Sequence, residues 1–256
     1  MTEIIDGHRH LGRGVDLDDD LDHVLADMDE HGVASTVLIP TDREIAVDNR
    51  AGNDAILAAA AAHPDRLLPM ATVNPWFGER AVAELGRAVG NGAVGLKLHP
   101  ALQGFVLCHP MAHPVVAECQ VLGVPVYVHT GTPPYAQPLQ LVELARTFPE
   151  VTFVMGHGGS TDLKADAQVA AEMAPNIVVE TSWTLPARLR QLVEVYGADR
   201  VMFGSDAPLS HLGLELANHR AAELAAPDAA AVLGGTARRL FGAGRPVPMP
   251  AAREPK

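Results

Sequence analysis

Residues 4–12 read "IIDGHRHLG", a short apolar segment that passes into an aspartate and two histidines. Alternate side chains of a β-strand point to the same side, so Asp6, His8 and His10 share one face of the strand predicted here. His8 and His10 can therefore direct two imidazoles at one point from a single rigid strand. Similar apolar runs, each followed by a polar residue next to Gly, Pro or Thr, recur along the chain.

Eight such runs determine the fold that the sequence predicts. They are separated by Ala-, Leu- and Glu-rich segments with helical spacing, several of which end at Gly or are followed by Pro. Strands that are apolar on both faces and joined by helices indicate a parallel sheet covered by helices. Eight units in 256 residues predict an α/β protein with a single-domain (β/α)8 TIM barrel. The runs are "EIIDGH", "STVLIPT", "LLPMATVNP", "AVGLKLHP", "PVYVHTG", "TFVMGHGG", "NIVVETS" and "RVMFGSDAP".

The barrel is expected to span residues 1–243. The segment "DAAAVLGGTARRLFG" within it predicts an extra C-terminal helix packed under or beside the barrel, and the Pro-rich residues 244–256 are expected to form a poorly ordered tail. An open doubly wound sheet is the alternative architecture. It is disfavoured because no G-x-G-x-x-G motif follows the first strand.

Composition limits the partners and the compartment. The chain is 48% hydrophobic and carries a formal charge of -12, which disfavours nucleic acid as a partner. No run approaches the roughly 18 apolar residues of a membrane span, and no basic and apolar leader begins the chain. Cys108 and Cys119 form no CxxC pair. These features predict a cytoplasmic protein without a membrane partner, and they leave open whether it forms a homodimer.

Polar residues at the strand ends predict the site, because TIM barrels carry their chemistry at the C-terminal ends of the strands. Four later runs end in polar side chains of this kind. Imidazoles with one carboxylate suit zinc or a neighbouring first-row divalent ion such as manganese. Such an ion lowers the pKa of a bound water and makes it a nucleophile, while a nearby His or Asp moves protons. Asp6 is expected to orient one ligand. The later residues are Lys97, His99, His129, His157 and Asp206.

At this point the sequence resembles the amidohydrolase superfamily. The motifs "DGHRH", "GLKLHP", "VHTG", "GHGG" and "GSDAP" occur in the order and at the strand ends of that superfamily, over roughly residues 4–241. H-x-H alone is a weak signal, but five motifs in order are a strong one. The likeness is greatest to the amidohydrolase-related branch that includes aminocarboxymuconate-semialdehyde decarboxylase and aromatic-acid decarboxylases.

The resemblance implies roles for individual residues. His8, His10 and His129 would be ligands of one divalent metal ion, with zinc favoured and manganese or another first-row ion as alternatives. Asp206 would be a fourth ligand that also contacts the metal-bound water, and His157 would lie beside that water as acid, base or electrostatic partner. Asp206 and His157 are therefore the predicted catalytic residues.

Two strand-four residues have open roles. In two-metal relatives a lysine at this position is carbamylated and bridges the ions, but in the branch resembled here we expect Lys97 to be unmodified and near the rim. His99 would contact substrate or act as a weak extra ligand. Both are predicted substrate-binding residues, together with Trp76, Gln103 and Trp183 on loops after the strands. The loops are short, which predicts a small-molecule substrate.

Two reactions follow from this metal site. The sequence favours hydrolysis of a small amide, lactone or ester by metal-activated water. The alternative is decarboxylation of a small unsaturated or aromatic carboxylic acid, which the family branch suggests. Catalysis without metal and passive ligand binding are further alternatives; retained activity after chelation would favour the former. A passive binder would have little use for a complete set of acid, base and metal ligands.

Overall fold

The apolar runs form the eight parallel strands of a barrel. The structure, a computed structural model, describes residues 2–15, 17–159 and 164–242. Each strand is hydrogen-bonded in parallel to the next one along the chain. The strands are β1 (Ile4–His10), β2 (Val33–Ile39), β3 (Leu67–Pro69 and Ala71–Thr72), β4 (Leu96–Leu98), β5 (Val126–Val128), β6 (Phe153–Met155), β7 (Ile177–Glu180) and β8 (Val201–Met202).

The barrel closes where the segment after β8 returns to β1. The backbone N–H of Gly7 donates to the carbonyl of Phe203 at 2.9 Å, and that of His10 donates to Ala207 at 2.8 Å. A side chain at Gly7 would not fit, because a Cβ there would lie 2.9 Å from the Phe203 carbonyl oxygen. This closure confirms the predicted (β/α)8 TIM barrel.

One long helix follows each strand, as the helical spacing predicts. The first shows the expected end signals: Asp20 accepts a hydrogen bond from the N–H of His23, and Gly32 ends the helix in the left-handed conformation. No helix in the described ranges is both long and apolar enough to cross a membrane. The helices are α1 (Leu21–His31), α2 (Asn49–Ala62), α3 (Glu79–Gly90), α4 (His113–Leu122), α5 (Pro138–Thr147), α6 (Lys164–Met173), α7 (Pro186–Tyr196) and α8 (Leu212–Ala221).

Short elements complete the loops. Gly12–Arg13 and Asp18–Asp19 pair as a small antiparallel ribbon after β1. Short helical turns cover Asp42–Ala46, Pro75–Phe77, Pro100–Gln103, Pro110–Ala112, Gly156–Gly159 and Ala198–Arg200. The turns at 75–77, 100–103 and 156–159 directly follow strands or strand-end residues, so they shape the end of the barrel at which the polar residues lie.

The predicted C-terminal helix is present and fills the barrel from one end. It runs through Ala226–Ala230, a π-helical turn at Ala231–Gly235 and Thr236–Phe241. Its buried Ala237 and Phe241 pack in one apolar cluster with barrel-interior residues that include Ile5, Val154 and Met202. The predicted Pro-rich tail, residues 244–256, lies outside the described residues.

Candidate metal-dependent active site

Three of the predicted metal ligands meet where the barrel closes. His8 and His10 lie on β1, and Asp206 follows β8. The Nε2 atoms of both histidines lie 3.3 Å from Oδ1 of Asp206. All three side chains are buried, and their ligand atoms lie within 4.8 Å of one another. The two ends of the barrel sequence thus build one cluster, as the strand-end positions predict.

The hydrogen bond of His10 shows that this cluster suits a cation. Nδ1 of His10 lies 2.7 Å from the carbonyl oxygen of Pro40. A carbonyl only accepts, so Nδ1 carries a proton, and in the neutral imidazole the lone pair of Nε2 then faces the Asp206 carboxylate. In that form two acceptors face each other in a buried site, and a cation, either a proton or a metal ion, is needed between them. Two imidazole nitrogens and a carboxylate oxygen are donors that zinc, manganese and similar ions accept.

His8 is oriented by a tyrosine and a glutamate. The Tyr127 hydroxyl donates to Oε2 of Glu180 at 2.6 Å, and burial raises the pKa of Tyr127 well above its usual value. The hydroxyl oxygen is then free to accept from Nδ1 of His8, which lies 2.9 Å away. This relay leaves the lone pair of His8 Nε2 directed at the cluster, as outer hydrogen bonds do at metal sites.

Glu180 is the centre of this network. Besides Tyr127, its carboxylate accepts from the backbone N–H of His157 and from the hydroxyl and N–H of Ser182. Tyr127 was missed altogether. The available signal was parity: in "VYVHTG" Tyr127 stands two residues before His129, on the same face of β5.

His157 lies beside the cluster and is neutral. Its Nδ1 donates to Ser182 Oγ at 2.8 Å and lies 4.0 Å from Oδ2 of Asp206. Burial lowers its pKa to about 4, although Asp206 and Glu180 oppose that shift. His157, His8 and Glu180 form a second group of closely spaced donors. Hydrogen bonds through Tyr127 and Ser182 already connect the members of this group.

His129 contacts His157 and is not part of the His8, His10 and Asp206 group. Its Nδ1 is 2.9 Å from Nε2 of His157, and its Nε2 is 2.9 Å from the Thr132 hydroxyl. Its ring stacks on His99 with the ring centres 3.8 Å apart. Burial holds the pKa of both imidazoles well below the usual value. His129 is thus joined to the cluster through His157, and its role as a third ligand stays a prediction.

Lys97 does not lie near the rim, and that expectation is wrong. Only 1% of the residue is exposed, and its Nζ lies 3.0 Å from Nε2 of His8 and 4.2 Å from the centre of the Tyr127 ring. The reason is its place inside β4 instead of after it. Burial lowers the pKa of Lys97 to about 8, against the attraction of Asp206 and Glu180.

Gln103 serves the backbone, although the sequence predicts a substrate contact. Its amide nitrogen donates to the carbonyls of Ile45 and Val73, and its amide oxygen accepts from the N–H of His99. Its polar atoms are therefore engaged in fixing the turn that begins at His99. The physical reason is burial: a buried amide must be satisfied, and here loop backbone supplies the partners.

The two predicted tryptophans lie at the surface. Trp76 is 61% exposed, and its indole N–H donates to the carbonyl of Gly104 at 3.1 Å. Trp183 is 54% exposed, and its indole N–H donates to Oδ2 of Asp206 at 2.7 Å. Trp183 therefore contacts the cluster directly.

Burial and neighbouring groups act in opposite directions on the two carboxyl groups of the site, Asp206 and Asp6. Burial alone would raise the pKa of the Asp206 carboxyl, but the neighbouring imidazoles hold it well below the usual value. Asp6 differs, because burial raises its pKa to about 6 despite hydrogen bonds from Ser205. Asp6 also accepts from the backbone N–H of His8, so it orients that histidine through the main chain.

The amidohydrolase family model matches residues 5–243 of this chain. The chain belongs to the amidohydrolase family. No curated protein matches it.

Solved structures share its fold at low identity. 2,6-Dihydroxybenzoate decarboxylase from Rhizobium is 21% identical, with 94% of this chain and 99% of that chain covered and a TM-score of 0.76. The 5-carboxyvanillate decarboxylase from Novosphingobium aromaticivorans, complexed with manganese and a nitrobenzoic acid, is 17% identical over 93% and 96% of the chains, with a TM-score of 0.78. A putative 2-pyrone-4,6-dicarboxylic acid hydrolase from Pseudomonas putida is 23% identical over 94% and 98%, with a TM-score of 0.73.

Proposed function

We propose that this protein is a metal-dependent decarboxylase of a small aromatic or unsaturated carboxylic acid. The main observation behind this proposal is the buried cluster of His8, His10 and Asp206, which has the Lys97 ammonium beside it. This order reverses the one that the sequence favours, in which hydrolysis comes first. Decarboxylases are prominent among the structures of similar fold, which supports the change.

The charges in the site suit an anionic substrate. Lys97 lies at the base of the site, and its pKa of about 8 leaves it mostly protonated at neutral pH. The surrounding imidazoles of His8, His99, His129 and His157 have lowered pKa values and add no charge of their own. A divalent ion in the cluster would supply further positive charge to bind and polarise a substrate carboxylate. Together with the Lys97 ammonium, the charge of that ion would outweigh the carboxylates of Asp206 and Glu180 and would favour an anionic substrate over a neutral amide.

His8, His10 and Asp206 are the residues that would hold the ion, and His129 is proposed as a further ligand. The two nitrogens and one oxygen accommodate zinc or manganese. Manganese gains support from the 5-carboxyvanillate decarboxylase structure, which contains it. Zinc, which the sequence favours, remains the alternative.

Decarboxylation consumes one proton for each carbon dioxide released, because a C–H bond replaces the C–carboxylate bond. We assign the transfer of this proton to Asp206, which would take it from water and pass it to the substrate carbon, because its carboxyl group has a pKa well below the usual value and holds no proton at rest. Its Oδ1 faces His8 and His10, whereas Oδ2 is held by the Trp183 indole. His157 lies 4.0 Å from Asp206 and forms a hydrogen bond with His129. We assign it one of two roles: it stabilises negative charge that develops beside Asp206, or it passes a proton along its hydrogen bond with His129.

Hydrolysis of a lactone is the second candidate. It is supported by the fold shared with the putative 2-pyrone-4,6-dicarboxylic acid hydrolase. The same Asp206 would accept a proton from the attacking water, and the same Lys97 would attract a carboxylated lactone.

Carbon dioxide release separates these candidates. Manganese-supplemented protein would be incubated with hydroxybenzoates and muconate-type acids, and in parallel with carboxylated lactones. We expect carbon dioxide from at least one acid and at least a hundredfold lower rate for Asp206→Asn, since general acid–base catalysis contributes about 10²–10⁴-fold. Asp65→Asn, at an exposed position, is the matched control. Lactone opening without carbon dioxide release would replace the decarboxylase with the hydrolase.

A further inference from the structure

Backbone strain concentrates around Asp206. Among the described residues, four non-glycine residues have a positive φ, and three of them belong to the site: His157 at 61°, Trp183 at 61° and Asp206 at 55°. Bulky residues rarely adopt this conformation, and such outliers cluster where a protein must hold a side chain in one place. At Trp183 the constraint is visible, because its backbone N–H donates to Oε1 of Glu215 and its indole N–H to Asp206.

The indole of Trp183 is held by a hydrogen bond at one edge, and much of the residue is exposed to solvent. The indole N–H holds Oδ2 of Asp206 at 2.7 Å, while 54% of the residue remains exposed. A large aromatic side chain usually buries its ring to remove apolar surface from water. Here the backbone conformation and two hydrogen bonds keep the ring beside the Asp206 carboxylate, while about half of the residue stays exposed to solvent.

We propose that Trp183 determines specificity by offering its ring as a stacking surface for a planar, conjugated acid while it positions Asp206. This inference rests on the proposed function and names its substrate class. The ring and the N–H have separable tasks: the ring selects flat substrates over saturated ones, and the N–H occupies Oδ2 so that Oδ1 faces His8 and His10. Stacked aromatic rings prefer an arrangement in which the two ring faces are offset, and an exposed indole face leaves room for a second ring in that arrangement.

Two acids of equal charge and ring size test the stacking task. Benzoate and cyclohexanecarboxylate would be titrated into manganese-supplemented protein by calorimetry. We expect benzoate to bind about 2- to 12-fold more tightly, as the contribution of an aromatic pair implies. Trp183→Leu should abolish this preference and Trp183→Phe should retain most of it. Equal binding of the two acids, no binding of benzoate, or an unchanged preference in Trp183→Leu would overturn the proposal.

The positioning task has its own readout. Trp183→Phe removes the indole N–H but keeps a ring, so its dissociation constant for Mn²⁺ should rise about tenfold, as loss of an outer partner of a metal ligand typically causes. An unchanged constant would remove this half of the proposal. The chain has two tryptophans, so in the Trp76→Phe background quenching of the remaining fluorescence by benzoate reports contact with Trp183 itself.

The experiments can refute the decarboxylase and the role of Trp183 separately. Carbon dioxide release without any preference for benzoate would refute the role of Trp183 and leave the decarboxylase standing. A benzoate preference lost in Trp183→Leu, without carbon dioxide release from any acid, would support the stacking surface and refute the decarboxylase.

Discussion

The proton on Tyr127 determines which nitrogen of His8 can bind a metal. Because that proton is given to Glu180, the hydroxyl oxygen must accept from His8 Nδ1. Tyr127→Phe removes the acceptor, and we expect Mn²⁺ to bind about 10- to 100-fold more weakly, the usual effect of removing an outer partner. Tyr196→Phe is the control, since that buried hydroxyl bonds to the Ala167 carbonyl. Equal affinities of wild type and Tyr127→Phe for Mn²⁺ would contradict the relay.

Lys97 should make the stability of the metal-free protein depend on pH, and the lowered pKa of this lysine determines the direction of that dependence. Burial lowers its pKa from 10.5 to about 8, so between these values the unfolded chain binds more protons than the folded one. Stability therefore increases with pH in this window, by at most about 1.4 kcal/mol per pH unit for one proton. Urea unfolding of chelated wild type and Lys97→Met at pH 7 to 10 measures the difference. A difference that stays constant across this range would show that Lys97 keeps its usual pKa.

At the scale of elements, strand periodicity predicted where the site lies but not how deep each residue sits. His8 and His10 follow from parity on β1, and Asp206 from its place after β8. The rim position of Lys97 rests on the family resemblance, and the sequence "GLKLHP" does not show that Lys97 lies inside a three-residue strand. Gln103 was expected at the substrate because its partners, the backbone carbonyls of Ile45 and Val73, come from distant loops. Such tertiary hydrogen bonds leave no local pattern in a sequence.

The C-terminal helix is a structural part of the barrel, and its last turn tests that role. Phe241 is buried against the barrel-interior cluster. Phe241→Ala should lower the free energy of unfolding by about 3–5 kcal/mol, because it removes apolar contacts and leaves a cavity. Val121→Ala, at a position 80% exposed on α4, should change it by no more than about 0.5 kcal/mol. Equal effects in urea unfolding would mean that the helix contributes little to the core.

At the scale of the whole molecule, the candidate metal site joins the beginning and the end of the barrel. His8 and His10 come from β1, and Asp206 from the segment that closes onto it through a 2.7 Å hydrogen bond from its N–H to the His8 carbonyl. The unfolded chain separates these groups by nearly the whole length of the barrel sequence. A ligand that needs all three should therefore bind the folded state alone, and its binding free energy should appear as stability.

Metal binding should accordingly stabilise the entire fold. At a free Mn²⁺ concentration about 100 times the dissociation constant, we expect about 2.7 kcal/mol of added stability. For a domain of this size that corresponds to a rise in Tm of about 5–10 °C. The His8→Ala/His10→Ala variant should show no rise, whereas His63→Ala/His109→Ala, which changes histidines outside the cluster, should respond like wild type. Calorimetry with and without a chelator makes the comparison, and a rise that persists without His8 and His10 would place the ion elsewhere.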